Sequence, residues 1–352
     1  MNHRERILAA ICHQPVDRIP TDIWATDEVW SALRHYCRVE NNLEVYNALD
    51  IDGIIGITPP YIGPPLKVEG SYHENEWGMG FRSQQYATGA YDEQVYHPLA
   101  EAQTLDDLER YNWPSPDWYN YDALPGLAQR TGDRAVECGY TALFYYHNLL
   151  RGLEQSLLDP FDKPDFTHYL ILKLSDFFTE YHRRCFEATR GLIDTTQVTD
   201  DWGSQHGLLA SQRVFEEFYR APMQRAINLA ESYGIHVFHH DDGDMRRLLP
   251  VLVEMGIDIL NPVQWRCGDW DLPAIKKRFG QQLCFHSAVD NQQTLPFGTP
   301  EEVRQQVRWL IDVLGSDGTG LIIGPCHNLQ SVTPLDNILA LYRTAQQYRS
   351  GD

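Results

Sequence analysis

The sequence predicts an α/β protein, a TIM-type (β/α)8 barrel with an aromatic-rich insertion near residues 59–121. Three observations favour this fold. Short apolar runs alternate with stretches of helical periodicity, which is typical of a parallel sheet. About eight such units fit into the 352 residues. Polar or aromatic side chains follow almost every apolar run, at the strand ends where such barrels carry their active sites. The expectation is one domain, residues 1–352.

The N-terminal third predicts fewer regular elements than the rest. Residues 59–97 are rich in Gly, Pro, Tyr and Trp, and their short alternating pieces predict a hairpin-like lid over one end of the core. Thr104 is a favourable N-cap for the helix that follows. The predicted elements are a helix at 4–12, a first strand within 17–24, a second strand at 53–58, a helix at 104–111 and an aromatic, Pro-rich loop at 113–121.

The remaining two thirds predict a regular alternation of strands and helices. No GxGxxG or GxxxxGK[ST] pattern follows any strand, which disfavours an open nucleotide-binding sheet. The predicted strands lie at 135–145, 195–199, 235–239, 258–260, 283–286 and 321–323. The predicted helices lie at 147–158, 164–189, 211–233, 244–255, 272–279, 300–314 and 334–348.

Charge and composition exclude several classes of partner. The formal net charge of −20 disfavours nucleic acid and anionic membranes, which need a basic surface. The seven cysteines are scattered and form no CxxC pair, as expected for a reduced protein. The N-terminus lacks the apolar stretch of a signal peptide, and no apolar run is long enough to span a bilayer. The expectation is a cytoplasmic protein.

The strand ends supply the candidate site. His239 and His240 end one strand, and Cys326 and His327 end another. Imidazole, carboxylate and thiolate groups bind divalent metals or transfer protons near neutral pH. The two histidines fall on opposite faces of a regular strand, so alternation places only one of them in the site. The other strand ends contribute Trp24, Tyr145, Asp200, Asp201, Trp202, Asn261, Gln264, His286 and Asn328.

Each of these residues also has a structural interpretation. Trp24 and Trp202 could serve packing alone. Asp200 and Asp201 could cap the loop or helix that follows them. The residues by themselves leave both interpretations open, although two clusters of metal-binding side chains at equivalent strand ends favour one assembled site.

Several motifs along the chain resemble the uroporphyrinogen decarboxylase superfamily, which includes cobalamin-dependent methyltransferases. The opening RERILAAICHQPVDRIPTDIW, the element Asn75-Glu76-Trp77-Gly78, the stretch Thr199-Asp200-Asp201-Trp202-Gly203 and the C-terminal GPCHNLQSVTPLDNILALY carry the likeness. The resemblance spans nearly the whole chain. It implies a TIM-type barrel, in agreement with the alternation of elements.

One departure from the family pattern bears on the substrate. In uroporphyrinogen decarboxylases an Arg-rich segment after the first strand holds the many carboxylates of the substrate. The corresponding residues 24–36 contain Asp27 and Glu28 and only one arginine, Arg34. Asp22 adds a further acid. Because like charges repel, uroporphyrinogen is disfavoured as the substrate.

The methyltransferase branch implies a metal site. Its zinc ligands are an H-x-C pair after the fifth strand and a Cys near the C-terminal Thr-Pro. Alignment on these motifs places His240 and Asp242 on the first pair and His327 or Cys326 on the last ligand. Zinc accepts His and Asp as well as Cys, although such a set is harder than a thiolate site. The resemblance also implies a corrinoid as methyl partner, often carried by a separate protein. A homodimer is a further expectation.

The preferred hypothesis is a metal-dependent methyltransferase-like enzyme that moves a methyl group between a small methoxylated or methylated substrate and a corrinoid. The predicted catalytic residues are Asp200, Asp201, His286 and Tyr145, and the predicted substrate contacts are Trp24, Trp77, Trp202, Gln264 and Asn328. One alternative is a metal-free decarboxylase of a small or tetrapyrrole-like carboxylate. Another is a non-catalytic barrel that binds a tetrapyrrole or corrinoid.

Overall fold

The computed structural model describes residues 1–86 and 89–348. The strands are β1 (Ile54–Ile57), β2 (Val68–Glu69), β3 (Tyr72–Glu74), β4 (Gly80–Tyr86), β5 (Gly89–Tyr96), β6 (Ala135–Ala142), β7 (Thr195–Thr199), β8 (His236–His240), β9 (Ile259–Asn261), β10 (Cys284–His286) and β11 (Leu321–Ile322). The α-helices are α1 (His3–Ile11), α2 (Asp27–Cys37), α3 (Asn42–Ala48), α4 (Leu105–Arg110), α5 (Leu124–Gln129), α6 (Leu143–Arg151), α7 (Leu153–Asp162), α8 (Pro164–Thr189), α9 (Gln212–Val214), α10 (Arg220–Ser232), α11 (Leu249–Met255), α12 (Leu272–Phe279), α13 (Thr294–Phe297), α14 (Pro300–Leu314) and α15 (Leu335–Gln347). A π-helical turn, Phe215–Tyr219, joins α9 to α10.

Seven parallel strands form the barrel, in the order β1-β6-β7-β8-β9-β10-β11. The predicted first strand occupies the eighth position as an isolated bridge between Thr21 and Ile323. Thr21 O also accepts a hydrogen bond from Gly53 N at 2.9 Å, which continues the backbone bonding to the residue before β1. The TIM-type fold is confirmed. The eighth strand is irregular because Pro20 lacks an N–H and Ile23 N bonds to the Asp22 carboxylate at 2.8 Å.

Helix α1 closes the N-terminal end of the barrel. Its apolar residues pack against inward-facing side chains from the strands, which makes a dry plug at this end. The opposite end, where the strands run into helix-leading loops, is the end at which barrels of this type carry their active sites. The plug consists of Ile7, Ala10 and Ile11 from α1 with Ile54, Ala135, Phe238, Ile259, Cys284 and Ile322 from the strands.

The predicted insertion contains a four-stranded antiparallel sheet in the order β2-β3-β4-β5. Trp77, between β3 and β4, is 1% exposed and anchors the insertion to the barrel. Its ring lies 4.7 Å from that of Phe177 and 5.0 Å from that of Tyr146, both in edge-to-face geometry. Aromatic pairs in this geometry add to the apolar area that they bury.

The helices predicted at 164–189, 272–279 and 300–314 coincide with α8, α12 and α14. The last begins with a capping box between Thr299 and Glu302. The helix predicted at 147–158 is instead two helices, because Gly152 adopts a φ of 81° between them. The helix predicted from residue 244 begins at Leu249. No helix within residues 1–86 and 89–348 has the length and apolarity needed to cross a membrane.

Candidate metal centre

Strand β8 places His240 at the mouth of the barrel and His239 on the opposite face of the strand, as the alternation of side chains along a strand predicts. His239 is fully buried, and its Nδ1 lies 2.8 Å from Val198 O on the neighbouring strand. Burial lowers the pKa of His239 to about 4, so its ring is neutral at physiological pH. His240 faces the barrel interior, where its side chain retains 15% of its exposure.

His240, Asp242 and His327 converge at this mouth. His240 Nε2 lies 3.9 Å from Asp242 Oδ1, and His327 Nε2 lies 3.5 Å from Asp242 Oδ2. One ligand atom from each of the three residues lies within 4.8 Å of the others. Tetrahedral zinc with ~2.0–2.1 Å bonds separates its ligands by about 3.3 Å, so a small contraction would complete the geometry.

A chain of hydrogen bonds determines which nitrogen of His240 faces the triad. His286 Nε2 lies 3.0 Å from the Asp22 carboxylate and therefore carries a proton. Its Nδ1 then accepts from Asn261 Nδ2 at 2.7 Å. The amide oxygen of Asn261 accordingly accepts from His240 Nδ1 at 2.6 Å. In the neutral ring of His240 this bond puts the proton on Nδ1 and leaves the lone pair of Nε2 for the triad, the tautomer that a metal ligand requires.

Hydrogen bonds also fix the side chain of Asp242 and the loop that carries it. Gln264 Nε2 donates to Asp242 Oδ1 at 3.1 Å, while Gln264 Oε1 accepts from Gly243 N at 2.6 Å. Both functions of the amide are therefore used in fixing the loop after β8. The predicted role of Gln264 was substrate contact, whereas the structure places it behind a candidate ligand, where outer-shell partners tune metal sites.

Trp24 lies against the base of the triad. Its ring centroid is 5.3 Å from that of His240 and 6.2 Å from that of His327. The same ring stacks on Phe238 at 6.0 Å, above the apolar plug. Burial lowers the pKa of His327, which keeps this second imidazole neutral and able to bind a metal.

Asp201 borders the triad, whereas Asp200 lies beneath it. The Asp201 carboxylate is 37% exposed and lies 3.9 Å from His240 Nε2. Asp200 is 1% exposed, accepts from Tyr145 N at 2.8 Å, and has a pKa raised well above the usual range by burial. Asp200 therefore bonds to the backbone of Tyr145, which is half-buried in the first turn of α6.

Four other predicted site residues lie outside the triad. Cys326 is buried, and its thiol contacts Val263 O at 3.5 Å. Trp202 is 0% exposed and stacks on Phe144 at 4.1 Å, so its ring presents no face to a ligand. His286, predicted as a catalytic residue, is fully buried and has both ring nitrogens bonded, to Asn261 and to Asp22. Asn328 is half-buried beside His327.

The structure also shows the contacts of two residues to which the sequence analysis assigned no catalytic, substrate-binding or metal-binding role. Asn261 stands at the end of an apolar strand, and its role emerges only from its two histidine neighbours. Glu137 interrupts the apolar strand β6 and faces the barrel interior, where it accepts from Gln197 Nε2 at 2.6 Å. An acid in the middle of an otherwise apolar strand is the signal that could have revealed it.

Comparisons with known proteins agree with this architecture. The family model described as Uroporphyrinogen decarboxylase (URO-D) matches residues 98–348. A uroporphyrinogen decarboxylase from Aliivibrio salmonicida is 26% identical over 180 residues, 50% of this chain and 46% of that protein, so the match spans about half the length of the relative. A methyltransferase from Methanosarcina mazei superposes with a TM-score of 0.66 at 17% identity, over 98% of both chains.

Proposed function

We propose that this chain, which belongs to the uroporphyrinogen decarboxylase family, is a metal-dependent methyltransferase-like enzyme that moves a methyl group between a small methoxylated or methylated substrate and a corrinoid. The observation that carries the proposal is the triad of His240, Asp242 and His327 at the open mouth of the barrel. The shared fold with a methyltransferase is consistent with it.

The donor set fits zinc. Two neutral imidazoles and one carboxylate are the protein ligands of many catalytic zinc sites, which keep a further position open for water or substrate. The partial exposure of Asp242 and His327, 38% and 32% of their side chains, gives such a position access to solvent. Bound there, zinc would supply Lewis acidity toward the heteroatom that carries or receives the methyl group.

The surrounding residues orient the site and handle the proton. Asn261 accepts from His240 Nδ1 and so directs Nε2 of the neutral ring toward the metal position, and Gln264 prevents Asp242 from rotating away. Asp201 Oδ1, on the rim, is in position to accept a proton from the substrate heteroatom. Trp24 fills the space below the triad and keeps water from the lower barrel.

Decarboxylation of uroporphyrinogen is disfavoured because two arginines that could hold its carboxylates are already bonded to other side chains of this chain. Arg34 donates to Asn42 at 2.5 Å, and Arg266 is paired with Asp290 at 2.9 Å. Asp22, at the end of the first strand, is bonded to His286. Recognition of several carboxylates needs fixed and available guanidinium groups, and the guanidinium groups of Arg34 and Arg266 are both engaged within this chain.

The test measures zinc content and methyl transfer on the same preparations. Protein purified without chelators should hold about one zinc per chain, and His240→Ala or His327→Ala should remove it. His206→Ala, at an exposed histidine in the loop after β7, is the matched control. Cys326→Ser distinguishes the two candidates for the C-terminal ligand and should retain zinc.

Methyl transfer is followed as the absorbance change between cob(I)alamin and methylcobalamin with methoxylated and methylated donors. We expect turnover that zinc-depleted protein loses and added zinc restores. Methyl transfer that survives both chelation and His240→Ala would contradict the metal-dependent reaction.

A further inference from the structure

A cavity of about 400 Å³ lies between the insertion, α8 and the strands β1, β6 and β7. Its volume falls in the ~300–1,000 Å³ range of small-molecule sites. Much of its wall is aromatic, with rings from the insertion and from helices α6 and α8, among them Trp77, Tyr119, Tyr146, Phe177 and Tyr181. Aromatic rings carry negative potential on their faces, so such a wall suits a cation that lies against those faces.

The same cavity contains two carboxylates and no cationic side chain. Glu76 accepts a hydrogen bond from Tyr119 Oη at 2.9 Å. Glu137 accepts from Gln197 Nε2 at 2.6 Å and from Thr195 Oγ1 at 3.3 Å. Among the lining residues that the structure describes, none is Lys, Arg or His. Two acids thus face the cavity without a cationic side chain among its described lining residues.

We infer that this cavity binds an organic cation of the alkylammonium class, with the methylated nitrogen against the aromatic rings and its charge opposite Glu76 and Glu137. The inference rests on the proposed function, for which it names the substrate class as a methylated amine rather than a methoxylated aromatic compound. A neutral ligand would leave both carboxylates uncompensated in a partly dry space, which costs free energy. A cation both compensates them and gains cation–π attraction.

The cavity wall includes a residue of β7, the strand next to the one that carries His240. Gln197, in its wall, pairs with Phe238 on β8. His240 follows Phe238 by two residues and faces the same side of the strand. With ~3.3 Å of rise per residue and ~4.8 Å between strands, the Cα atoms of Gln197 and His240 are about 8 Å apart. One residue of the cavity wall is therefore a strand neighbour of a candidate metal ligand, and the cavity and the triad lie at the same end of adjacent strands.

The test compares two probes of the same shape and different charge. Choline has a positively charged quaternary nitrogen at the centre of its head group, where 3,3-dimethylbutan-1-ol has a neutral quaternary carbon. Calorimetric titration at pH 8 of the full chain, freed of metal with a chelator, should show choline binding at least tenfold more tightly than the neutral alcohol. Omitting metal and corrinoid separates this outcome from that of the methyl-transfer assay.

Variants then assign the preference to the cavity. Glu137→Gln and Glu76→Gln should each weaken choline binding by about tenfold, equivalent to ~1.4 kcal/mol, and leave binding of the neutral alcohol unchanged. Phe177→Leu keeps the wall apolar but removes a ring and should weaken choline severalfold. Glu109→Gln, at an exposed acid on α4, is the charge-matched control and should change neither probe.

The inference would be overturned if the parent protein bound the two probes with equal affinity. It would also be overturned if Glu137→Gln bound choline as tightly as the parent protein does. Tighter binding of guaiacol, a neutral methoxylated aromatic probe, than of choline would also overturn it. The same holds if choline does not bind at millimolar concentration. His240→Ala should retain choline binding while it loses zinc, so loss of the metal site alone leaves the inference testable.

Discussion

Replacing Glu137 with Gln should stabilise the protein at neutral and alkaline pH. Burial, with the nearby Asp22 carboxylate as a further repulsive charge, raises the pKa of Glu137 from its ordinary 4.5 to about 7. Hydrogen bonds from Gln197 and Thr195 act in the opposite direction but are outweighed. Asp22 itself is bonded to His286, so no cation faces Glu137 from that side. The ionised form of Glu137 is therefore disfavoured in the folded protein.

The sign follows from proton linkage. Between pH 4.5 and 7 the folded protein holds a proton on Glu137 that the unfolded chain has released, so the free energy of unfolding falls as the pH rises. The free energy of unfolding falls by about 1–3 kcal/mol over this range because of Glu137. The upper figure corresponds to the full pKa shift, and water in the cavity reduces it. Glutamine does not ionise and keeps a hydrogen-bonding group at this position, so Glu137→Gln should remove that decline.

Urea unfolding at pH 4.5, 6.0 and 8.0, followed by tryptophan fluorescence and circular dichroism, measures the effect. The unfolding free energy of Glu137→Gln should be close to that of the parent at the lowest pH. Above pH 7 it should exceed that of the parent by the full amount. Other buried acids, such as Asp200 and Asp241, contribute equally to both proteins and cancel. A difference that stays constant across this range would refute the assignment of the raised pKa to Glu137.

Three further predictions follow from other parts of the structure. Asn261→Leu should lower zinc affinity ~10–100-fold, because it removes the bond that sets the His240 tautomer. Zinc competition with a chromophoric chelator measures the affinity, and an unchanged value would exclude the positioning role of Asn261. Trp202→Ala should cost about 3–5 kcal/mol of stability, against a negligible cost for Trp309→Ala at a 40% exposed ring, and equal denaturation midpoints would contradict the packing role. Purified protein should form no coproporphyrinogen from uroporphyrinogen; robust turnover would reverse the order of the two proposed chemistries.

The site is only partly predictable from the sequence, and the limit follows the length scale of each interaction. The positions of His240 at the end of β8 and of Asp242 just after it are local, because strand pleating and the break in apolar sequence define them within a few residues. The pairing of that loop with His327 came from a motif alignment, and the geometry brings the two together at 3.5 Å. The same alignment left Cys326 as an equal candidate, since a one-residue difference in register decides which side chain turns inward.

The sequence by itself determined the alternation of strands and helices, the closed barrel that this alternation favours, and the strand ends that face its mouth. These features depend on periodicity within single segments, which is encoded locally. Only the tertiary structure decided that Trp202 packs against Phe144 and that His286 bonds to Asn261. It alone joined Glu76 of the insertion and Glu137 of β6 in one cavity. The physical reason is that these contacts join residues far apart in sequence, and their existence depends on how the barrel closes rather than on any pattern that one segment carries.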